Sequence, residues 1–299
     1  MKLRARLNGN GMDTTQSIAP RGGNERQMKT KSRLGRSAYL VYGIVCYVAF
    51  AATIVYGVGF VGNFWHTLGW RGSAFHSMDV GRIASTGEAL VIDVLLLALF
   101  AAQHSVMARA GFKRIWTRVV PPAVERSTFV LAASLCLALL YWQWRPIGGV
   151  VWDVSDGIGG KALLGVSLAG WLVAAASTFM IDHAELFGLA QVVAAYRGKP
   201  RAETAFSTPG LYKAVRHPLY FGFIVAFWAT AVMTIGHLVF AALTTVYILV
   251  AIRLEERDLV AHYGDVYRAY RRRVPMLLPL PRRGHNSRAG SPQSKSSSS

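Results

Sequence analysis

Charged residues are scarce in this sequence. They make up 16% of its 299 residues, whereas hydrophobic residues make up 53%. An average soluble domain carries charges at about a quarter of its positions. The apolar residues are also grouped into segments about as long as a bilayer is thick. The shortage of charge therefore excludes an ordinary soluble domain and predicts an all-α, polytopic integral membrane protein.

Acidic residues are the rarer charged type. There are 15 Asp and Glu against 33 Lys and Arg, which gives a formal net charge of +18. In a soluble protein this excess would suggest nucleic-acid binding. Here the basic residues cluster in the tails and in the connections between apolar segments, where topology and anionic lipid head groups account for them. We therefore expect membrane lipids, and not nucleic acid, as partners.

Cysteine is nearly absent. Cys46 and Cys136 are the two cysteines of the chain, and both lie inside apolar segments. Two such residues cannot build a disulfide framework or a cluster of metal ligands. We interpret both as small buried hydrophobic residues, and we expect no metal site.

Apolar segments divide the chain into membrane spans. Each segment is near the ~20 residues that a spanning helix needs. The six segments are 40–62, 88–108, 127–144, 163–182, 218–235 and 237–253. Almost nothing separates the last two, so we expect them to form a tight helical hairpin or a bent re-entrant unit.

Successive connections between these segments are alternately rich and poor in basic residues. Of the 33 Lys and Arg, 29 lie in the N-terminal tail, the second and fourth connections and the C-terminal region, with Arg253 at the end of the sixth segment counted in the last. Positively charged connections stay on the cytoplasmic side of a membrane. The pattern therefore predicts six helices with both termini in the cytoplasm.

Two polar tails flank the apolar part of the chain. Residues 1–36 are basic and poor in apolar residues, and residues 281–299 are rich in serine, so we expect both to be disordered. Met28 opens "MKTKSRLGRSAYL", so we expect it as an alternative start of the chain. Residues 37–280 are predicted to form one transmembrane domain.

Polar residues collect where the apolar segments meet the predicted cytoplasmic side. His104 lies at the end of the second segment, and His183 and Glu185 follow the fourth. The fifth segment opens with "RHPLYFG" and the sixth closes with "RLEERDL". Ionisable groups near hydrocarbon are costly and tend to face a cavity or each other. Their convergence from several helices predicts a site at this side.

The predicted hairpin should place Arg216 to Tyr220 beside Glu255 and Glu256. An arginine can bind a carboxylate through two bonds, and carboxylates accept bonds from amines and hydroxyls. An aromatic ring such as Tyr220 can face a cation. Pro218 suits the first turn of a helix, and Gly222 permits close approach of a backbone or a ligand. Such a site suits a zwitterionic ligand with a flat base and a positive centre, of which S-adenosylmethionine is one example.

The same stretch resembles a known family. "RHPLYFG", followed by an apolar span, "EERDL" and "YGDVYRAYRRRVP", is similar to the C-terminal signature of the isoprenylcysteine carboxyl methyltransferase superfamily, over residues 209–280. A wider resemblance over residues 38–280, carried by motifs such as "QHSVMAR" and "DHAELFGL", indicates the nurim-related bacterial branch. The sequence departs from that branch at Asp182, where we expect asparagine.

The resemblance implies a methyltransferase that binds S-adenosylmethionine between the two C-terminal elements. The implied cofactor-binding residues are Arg216, His217, Pro218, Tyr220, Gly222, Glu255 and Glu256. The implied substrate is methanethiol, which would become dimethyl sulfide. Because a thiolate and not a thiol is the nucleophile, a base is needed. His104 and His183 are the candidate catalytic bases, with Glu185 as the group that orients one of them.

Other functions remain open on the sequence. The same chemistry could act on a phospholipid amine or on an isoprenylcysteine carboxylate. The chain could also be a membrane factor of the nurim type without enzymatic activity. A transporter is disfavoured, because Asp93 is the one ionisable residue we expect at mid-membrane depth.

Overall fold

The structure is a computed structural model that describes residues 33–70, 75–199 and 207–279. These residues are mostly helical. The helices are α1 (Arg33–Val61), α2 (Phe64–Thr67), α3 (Thr86–Ala108), α4 (Ala110–Trp116), α5 (Glu125–Gln143), α6 (Ile158–Ile181), α7 (His183–Leu186), α8 (Leu189–Arg197), α9 (Pro218–Trp228), α10 (Ile235–Tyr263) and α11 (Asp265–Arg273), and a 3-10 helix covers Gly210–Lys213. α1 begins inside the predicted N-terminal tail; the rest of that tail and residues 281–299 lie outside the described residues.

Four helices are long and apolar enough to cross a membrane, as judged by length and composition. These are α1, α3, α6 and α10, with 29, 23, 24 and 29 residues. At a rise of about 1.5 Å per residue, each exceeds the ~30 Å of a hydrocarbon core. The prediction of a polytopic helical membrane protein is confirmed at this level. α10 runs ten residues beyond the predicted end of the sixth segment, because "LEERDLVAHY" continues the helix.

The fifth segment is not a single spanning helix. α9 begins at Pro218 and ends at Trp228 after 11 residues, which corresponds to about 16 Å. The chain then turns, with the Thr230 N–H donating to the carbonyl oxygen of Trp228 at 3.0 Å, and Val232–Thr234 forms strand β2. β2 pairs antiparallel with β1 (Val150–Asp153), with Trp152 opposite Met233. The expectation of a purely helical fold was therefore wrong for the residues that follow α5 and α9, where β-branched residues favour extended backbone.

α9 packs mainly against α6, and it also contacts α10, where the Trp228 indole N–H donates to the Thr245 hydroxyl at 2.9 Å. The contact with α6 is close because glycines face each other. A Cβ placed on Gly222 would lie 2.5 Å from the carbonyl oxygen of Gly170 and 2.6 Å from the backbone nitrogen of Ala174. Ser167 adds a hydrogen bond from its hydroxyl to the carbonyl oxygen of Ala226, at 3.0 Å. Only the first turn of α9 is thus left to meet the end of α10.

The helices give the molecule two distinct ends. We call the end that carries β1 and β2 the sheet end. It also holds an aromatic core in which Phe60, Tyr141 and Phe240 surround the fully buried Trp144. The Trp144 indole N–H donates to the carbonyl oxygen of Met78 at 3.1 Å, which satisfies its one polar atom. The opposite end, where α3, α6 and α10 finish and α5 and α9 begin, is called the junction end.

Candidate active site

A buried ion pair lies where α9 begins and α10 ends. The Arg216 Nε–H donates to Glu256 Oε1 at 2.6 Å, and His217 Nε2 lies 3.1 Å from the same oxygen. The side chains of Arg216 and Glu256 are 7% and 10% exposed. The sequence prediction that these residues meet is confirmed. They bond directly to each other, however, so no ligand-sized gap separates the guanidinium from the carboxylate.

The chain after α11 closes over this ion pair. Arg216 Nη1 donates to the carbonyl oxygens of Arg271, at 3.0 Å, and Val274. The backbone N–H groups of Arg216 and His217 donate to the carbonyl oxygens of Pro275 and Met276, at 2.9 and 3.2 Å. The guanidinium therefore connects three segments that are distant in the sequence. This arrangement makes Arg216 and Glu256 a frame on which the site is built.

A second polar pair lies at the exposed rim of the ion pair. The Tyr220 hydroxyl donates to Glu255 Oε2 at 3.1 Å, and Glu255 is exposed. No bond to Glu255 Oε1 is found within the described part of the chain, so this oxygen can accept a hydrogen bond from a ligand. Tyr212, in the 3-10 helix, also lies near Glu255. Its burial and that negative charge raise the pKa of Tyr212, which keeps the hydroxyl protonated as a donor.

Pro218 and Gly222 position α9. Pro218 is the first residue of the helix and is buried. The space beside Gly222 is filled by α6, as described above. Both residues hold the helix that carries Tyr220, and the structure places neither at an open surface.

α11 covers the ion pair with two tyrosines, three residues apart and therefore on one face of the helix. Tyr267 and Tyr270 are 2% and 6% exposed. The Tyr270 hydroxyl donates to the carbonyl oxygen of Tyr212 at 2.6 Å. Burial raises the pKa of Tyr270 to about 12, although the positive charge of Arg216 opposes this shift. The tyrosine stripe is therefore packing that holds α11 against the site.

His104 lies in a separate aromatic pocket at the junction end. Its ring is 5.3 Å from that of Phe100 and 5.0 Å from that of Phe129, measured between centroids. Its Nδ1 atom is buried and has no hydrogen-bond partner among the described residues. Buried polar atoms without partners are rare, and each calls for an explanation. An unpaired imidazole nitrogen can accept a proton from a ligand.

α3 and α10 connect this pocket to the rim of the ion pair. Ser105 is next to His104, and its Oγ atom lies 3.2 Å from the Tyr247 hydroxyl oxygen. One turn further along α3, Arg109 Nη1 donates to Asp258 Oδ2 at 2.9 Å. The ends of α3 and α10 are thus fixed side by side, which places His104 and Glu255 on two adjacent helices at the same end of the molecule.

Arg126 is a charged residue that the sequence reasoning did not single out. It lies in the first turn of α5 and is partly buried. Its Nε–H donates to the carbonyl oxygen of Leu186 at 2.6 Å, and its guanidinium carbon lies 4.9 Å from the ring centroid of Phe129. The signal in the sequence was a charged side chain at the start of an apolar helix, one of several such positions.

His183 is enclosed by partners. Its Nε2 atom lies 2.9 Å from the Tyr47 hydroxyl, and its Nδ1 atom lies 2.8 Å from Thr178 Oγ1. Phe179 stacks on its ring with centroids 4.1 Å apart. Burial lowers the pKa of His183, partly offset by the charge of Asp182, which favours the neutral ring. Both ring nitrogens are engaged, so His183 could accept a substrate proton only by giving up a bond.

The turn after His183 explains the departure at Asp182. Asp182 Oδ1 accepts a hydrogen bond from the backbone N–H of Glu185 at 2.9 Å, and so caps α7. An asparagine side-chain oxygen would accept the same bond. Glu185 lies in the first turn of α7, partly buried, on the same short helix as His183. Glu185 and His183 thus lie on one short helix, where Tyr47 and Thr178 are the partners of the two His183 ring nitrogens.

Comparison with known proteins places the chain in a family. It is 54% identical over 244 residues to a methanethiol S-methyltransferase of Bradyrhizobium diazoefficiens, covering 82% of this chain and 91% of the relative. It is 52% identical to the methanethiol S-methyltransferase of Mycobacterium tuberculosis, over 82% of this chain and 97% of the relative. The chain belongs to the methanethiol S-methyltransferase family. It is therefore a methyltransferase.

More distant similarities agree with the wider resemblance seen in the sequence. A nurim homolog of Drosophila pseudoobscura pseudoobscura is 32% identical over 185 residues, which cover 59% of this chain and 72% of that protein. A family model described as "Protein of unknown function (DUF1295)" matches residues 159–274, which include α9, α10 and α11. No solved structure matches the chain.

Within this methyltransferase the predicted site residues fall into four groups. Arg216, His217 and Glu256 form the buried frame, with Pro218 and Gly222 behind it. Tyr220 and Glu255 form its exposed rim. His104 faces an aromatic pocket on the adjacent helix, whereas His183 and Glu185 lie at the end of α6 toward α1. The structure thus brings together the residues from the two C-terminal motifs and keeps the two histidines in different surroundings.

Proposed function

We propose that this methyltransferase transfers a methyl group from S-adenosylmethionine to methanethiol and produces dimethyl sulfide. Membership of the family is the observation that supports methanethiol as the substrate. Relatives that align over 91–97% of their lengths are named methanethiol S-methyltransferases. The observation that supports a donor site is the paired Arg216 and Glu256 with the open carboxylate of Glu255 beside them.

The residues at the junction end fit such a donor. Glu255 offers an acceptor for its ammonium or ribose hydroxyl groups, and Tyr220 and Tyr212 offer aromatic faces to a positive centre. Arg216, His217 and Glu256 hold these groups in place, and Pro218 and Gly222 fix the helix that carries Tyr220. When bound, S-adenosylmethionine supplies an electrophilic methyl group attached to a sulfonium.

We propose His104 as the base. Methyl transfer breaks the S–H bond of the thiol and the bond between the methyl group and the sulfonium, and it forms the new C–S bond of dimethyl sulfide. The thiol proton goes to His104 Nδ1, which has no competing partner among the described residues, and is later lost to water. The departing sulfur keeps the electron pair of the broken bond. His183 is the weaker candidate, because both of its nitrogens are already engaged.

Positioning is the main contribution that the protein can make to this reaction. Methanethiol has two heavy atoms, so little binding energy is available from contact area. Holding the sulfur and the methyl carbon in line can supply several kcal/mol. An apolar pocket lined by Phe100 and Phe129 beside His104 suits a small lipid-soluble thiol that enters from the membrane.

We also propose that six segments cross the inner membrane, with the junction end in the cytoplasm. α9 covers about 16 Å, and residues 229–234 can add at most about 20 Å, so together they can reach the ~30 Å of a hydrocarbon core. Irregular backbone is tolerated at such depth where it is buried in protein. Here β1 pairs with β2, and the Trp152 indole N–H donates to the carbonyl oxygen of Thr230 at 3.1 Å. Both termini then lie in the cytoplasm, as the charge pattern predicts.

Labelling tests this topology. In a background without Cys46 and Cys136, a cysteine at the exposed Ser155 should react with a membrane-impermeant maleimide in spheroplasts. A cysteine at the exposed Arg114 should react only after lysis. The reverse pattern would contradict the proposed orientation.

The activity is tested by headspace gas chromatography. A host that makes no dimethyl sulfide should release it when it expresses this chain and is fed methanethiol. The matched control is the Glu255→Gln variant, which should release much less. Purified protein should also be offered phosphatidylethanolamine and labelled donor, because label transfer to that lipid in place of methanethiol would show that the substrate is wrong. Absence of donor binding would favour a non-enzymatic nurim-type role.

A further inference from the structure

Arg126 has a cationic group that forms no ion pair with a carboxylate in the described part of the chain. Its Nε–H is used by the carbonyl oxygen of Leu186, at 2.6 Å. The neighbouring Glu125 is instead 4.0 Å from the Lys113 ammonium group. A partly buried cation without a counter-charge is unfavourable, and it becomes favourable when an anion binds.

Arg126 and His104 share one aromatic ring. The guanidinium carbon lies 4.9 Å from the ring centroid of Phe129, and the imidazole centroid of His104 lies 5.0 Å from it. The two side chains come from different helices, α5 and α3, and converge at the junction end. His104 Nδ1 is buried without a partner in the part of the chain that the structure describes. Among the described residues, a cation with no ion-pair partner and an acceptor with no donor thus both lie against the Phe129 ring.

A ligand that brings both a negative charge for Arg126 and a proton for His104 would complement these two side chains. A small alkyl thiol can give its proton to the imidazole and leave its negative sulfur beside the guanidinium. Thiols ionise at lower pH next to arginine, because the positive charge stabilises the thiolate. The alkyl part of the thiol would contact the apolar surfaces of Phe100 and Phe129.

We propose that Arg126 binds the sulfur of the substrate as a thiolate, in a pocket that it shares with His104. This inference rests on the proposed function and assigns its nucleophile site. It also gives a reason for the Leu186 contact, which fixes the guanidinium through Nε and leaves its outer nitrogens available for the sulfur. Arg126 would favour the thiolate of methanethiol over the product, because dimethyl sulfide is neutral and leaves the site readily.

The experiment compares Arg126→Gln with Arg126→Lys in the full-length protein. Arg126→Gln should lower kcat/KM for methanethiol about 10- to 100-fold, the effect of losing one charge-assisted contact. It should leave the Kd for S-adenosylmethionine and the inhibition constant of dimethyl sulfide within about two-fold of wild type, since neither depends on this charge. Arg126→Lys should restore much of the lost activity. Arg114→Gln, which removes an exposed arginine on α4, is the matched control and should behave as wild type.

A measurement on the wild-type protein keeps the inference testable even if Arg126→Gln does not fold. With S-adenosylhomocysteine bound, addition of methanethiol at neutral pH should produce the ultraviolet absorption band of a thiolate. A spectrum of neutral thiol alone would overturn the inference, as would wild-type kcat/KM in Arg126→Gln, or equal losses for methanethiol and dimethyl sulfide. A wild-type protein that makes no dimethyl sulfide at all would instead overturn the proposed function.

Discussion

Glu255 and Glu256 are adjacent, yet their replacement by glutamine should have opposite consequences. Glu256 is buried, and its Oε1 receives both Arg216 Nε and His217 Nε2. Glu255 is exposed, and its one observed side-chain bond comes from the Tyr220 hydroxyl. Glu256→Gln should therefore lower the free energy of unfolding. Glu255→Gln should leave the fold intact and weaken binding of the methyl donor.

The expected size of each effect depends on how deeply the replaced carboxylate is buried. Removing one member of a buried ion pair costs about 3–5 kcal/mol, because the other charge stays buried without compensation. Glutamine keeps the volume and one acceptor oxygen, so we expect a loss near 3 kcal/mol for Glu256→Gln. At the exposed Glu255 the same change should cost less than about 1 kcal/mol of stability. The donor should bind to Glu255→Gln about 10- to 100-fold more weakly, because a charge-assisted hydrogen bond is lost.

The assays are denaturant unfolding in detergent and calorimetric binding of S-adenosylmethionine. A double variant, Arg216→Met with Glu256→Leu, supplies the control for charge. It should be more stable than Glu256→Gln, since it buries no unpaired charge. The reasoning is refuted if the two single variants are equally stable, or if Glu255→Gln binds the donor as tightly as wild type.

Three further predictions concern the base, the contact of α9 with α6, and the alkaline limit of stability. His104→Ala should lower kcat about 100-fold and change the pH dependence of dimethyl sulfide formation; an unchanged pH profile would exclude it as the base. Gly222→Ala should cost about 1–3 kcal/mol of unfolding free energy, because its Cβ would meet the Gly170 carbonyl, whereas Gly111→Ala, with open space around it, should cost almost nothing. Burial raises the pKa of Tyr270 to about 12 from 10.0, so its contribution to stability is complete below pH 10 and is lost as the pH rises toward 12. Unfolding measured against pH should show a loss of stability over that range that is smaller in Tyr270→Phe.

The sequence was sufficient to predict features that depend on local composition or on neighbouring segments. Apolar length identified α1, α3, α6 and α10 as spanning helices, because a bilayer demands about 20 apolar residues whatever the rest of the fold does. The contact of Arg216 with Glu256 was predictable because nearly adjacent apolar segments must return to the same end. The spacing of Tyr267 and Tyr270 likewise placed them on one face of a helix.

Features that depend on contacts between distant segments were not predictable. A continuous apolar run gave no sign that α9 ends at Trp228, since the end is set by pairing of β2 with β1, about 80 residues earlier in the chain. The two histidines looked equivalent as bases. They differ because Tyr47 and Thr178 occupy both nitrogens of His183, while His104 Nδ1 is left without a described partner.

Sequence alone thus determined which segments are apolar enough to enter a membrane, which end of the molecule gathers polar side chains, and which motif residues are neighbours there. Tertiary structure decided what each of those side chains faces. It made Arg216 and Glu256 a bonded frame, left Glu255 at the rim and placed Arg126 beside His104. The physical reason is that hydrophobicity acts on each segment separately, whereas the state of a charge or an imidazole depends on atoms that arrive from other helices.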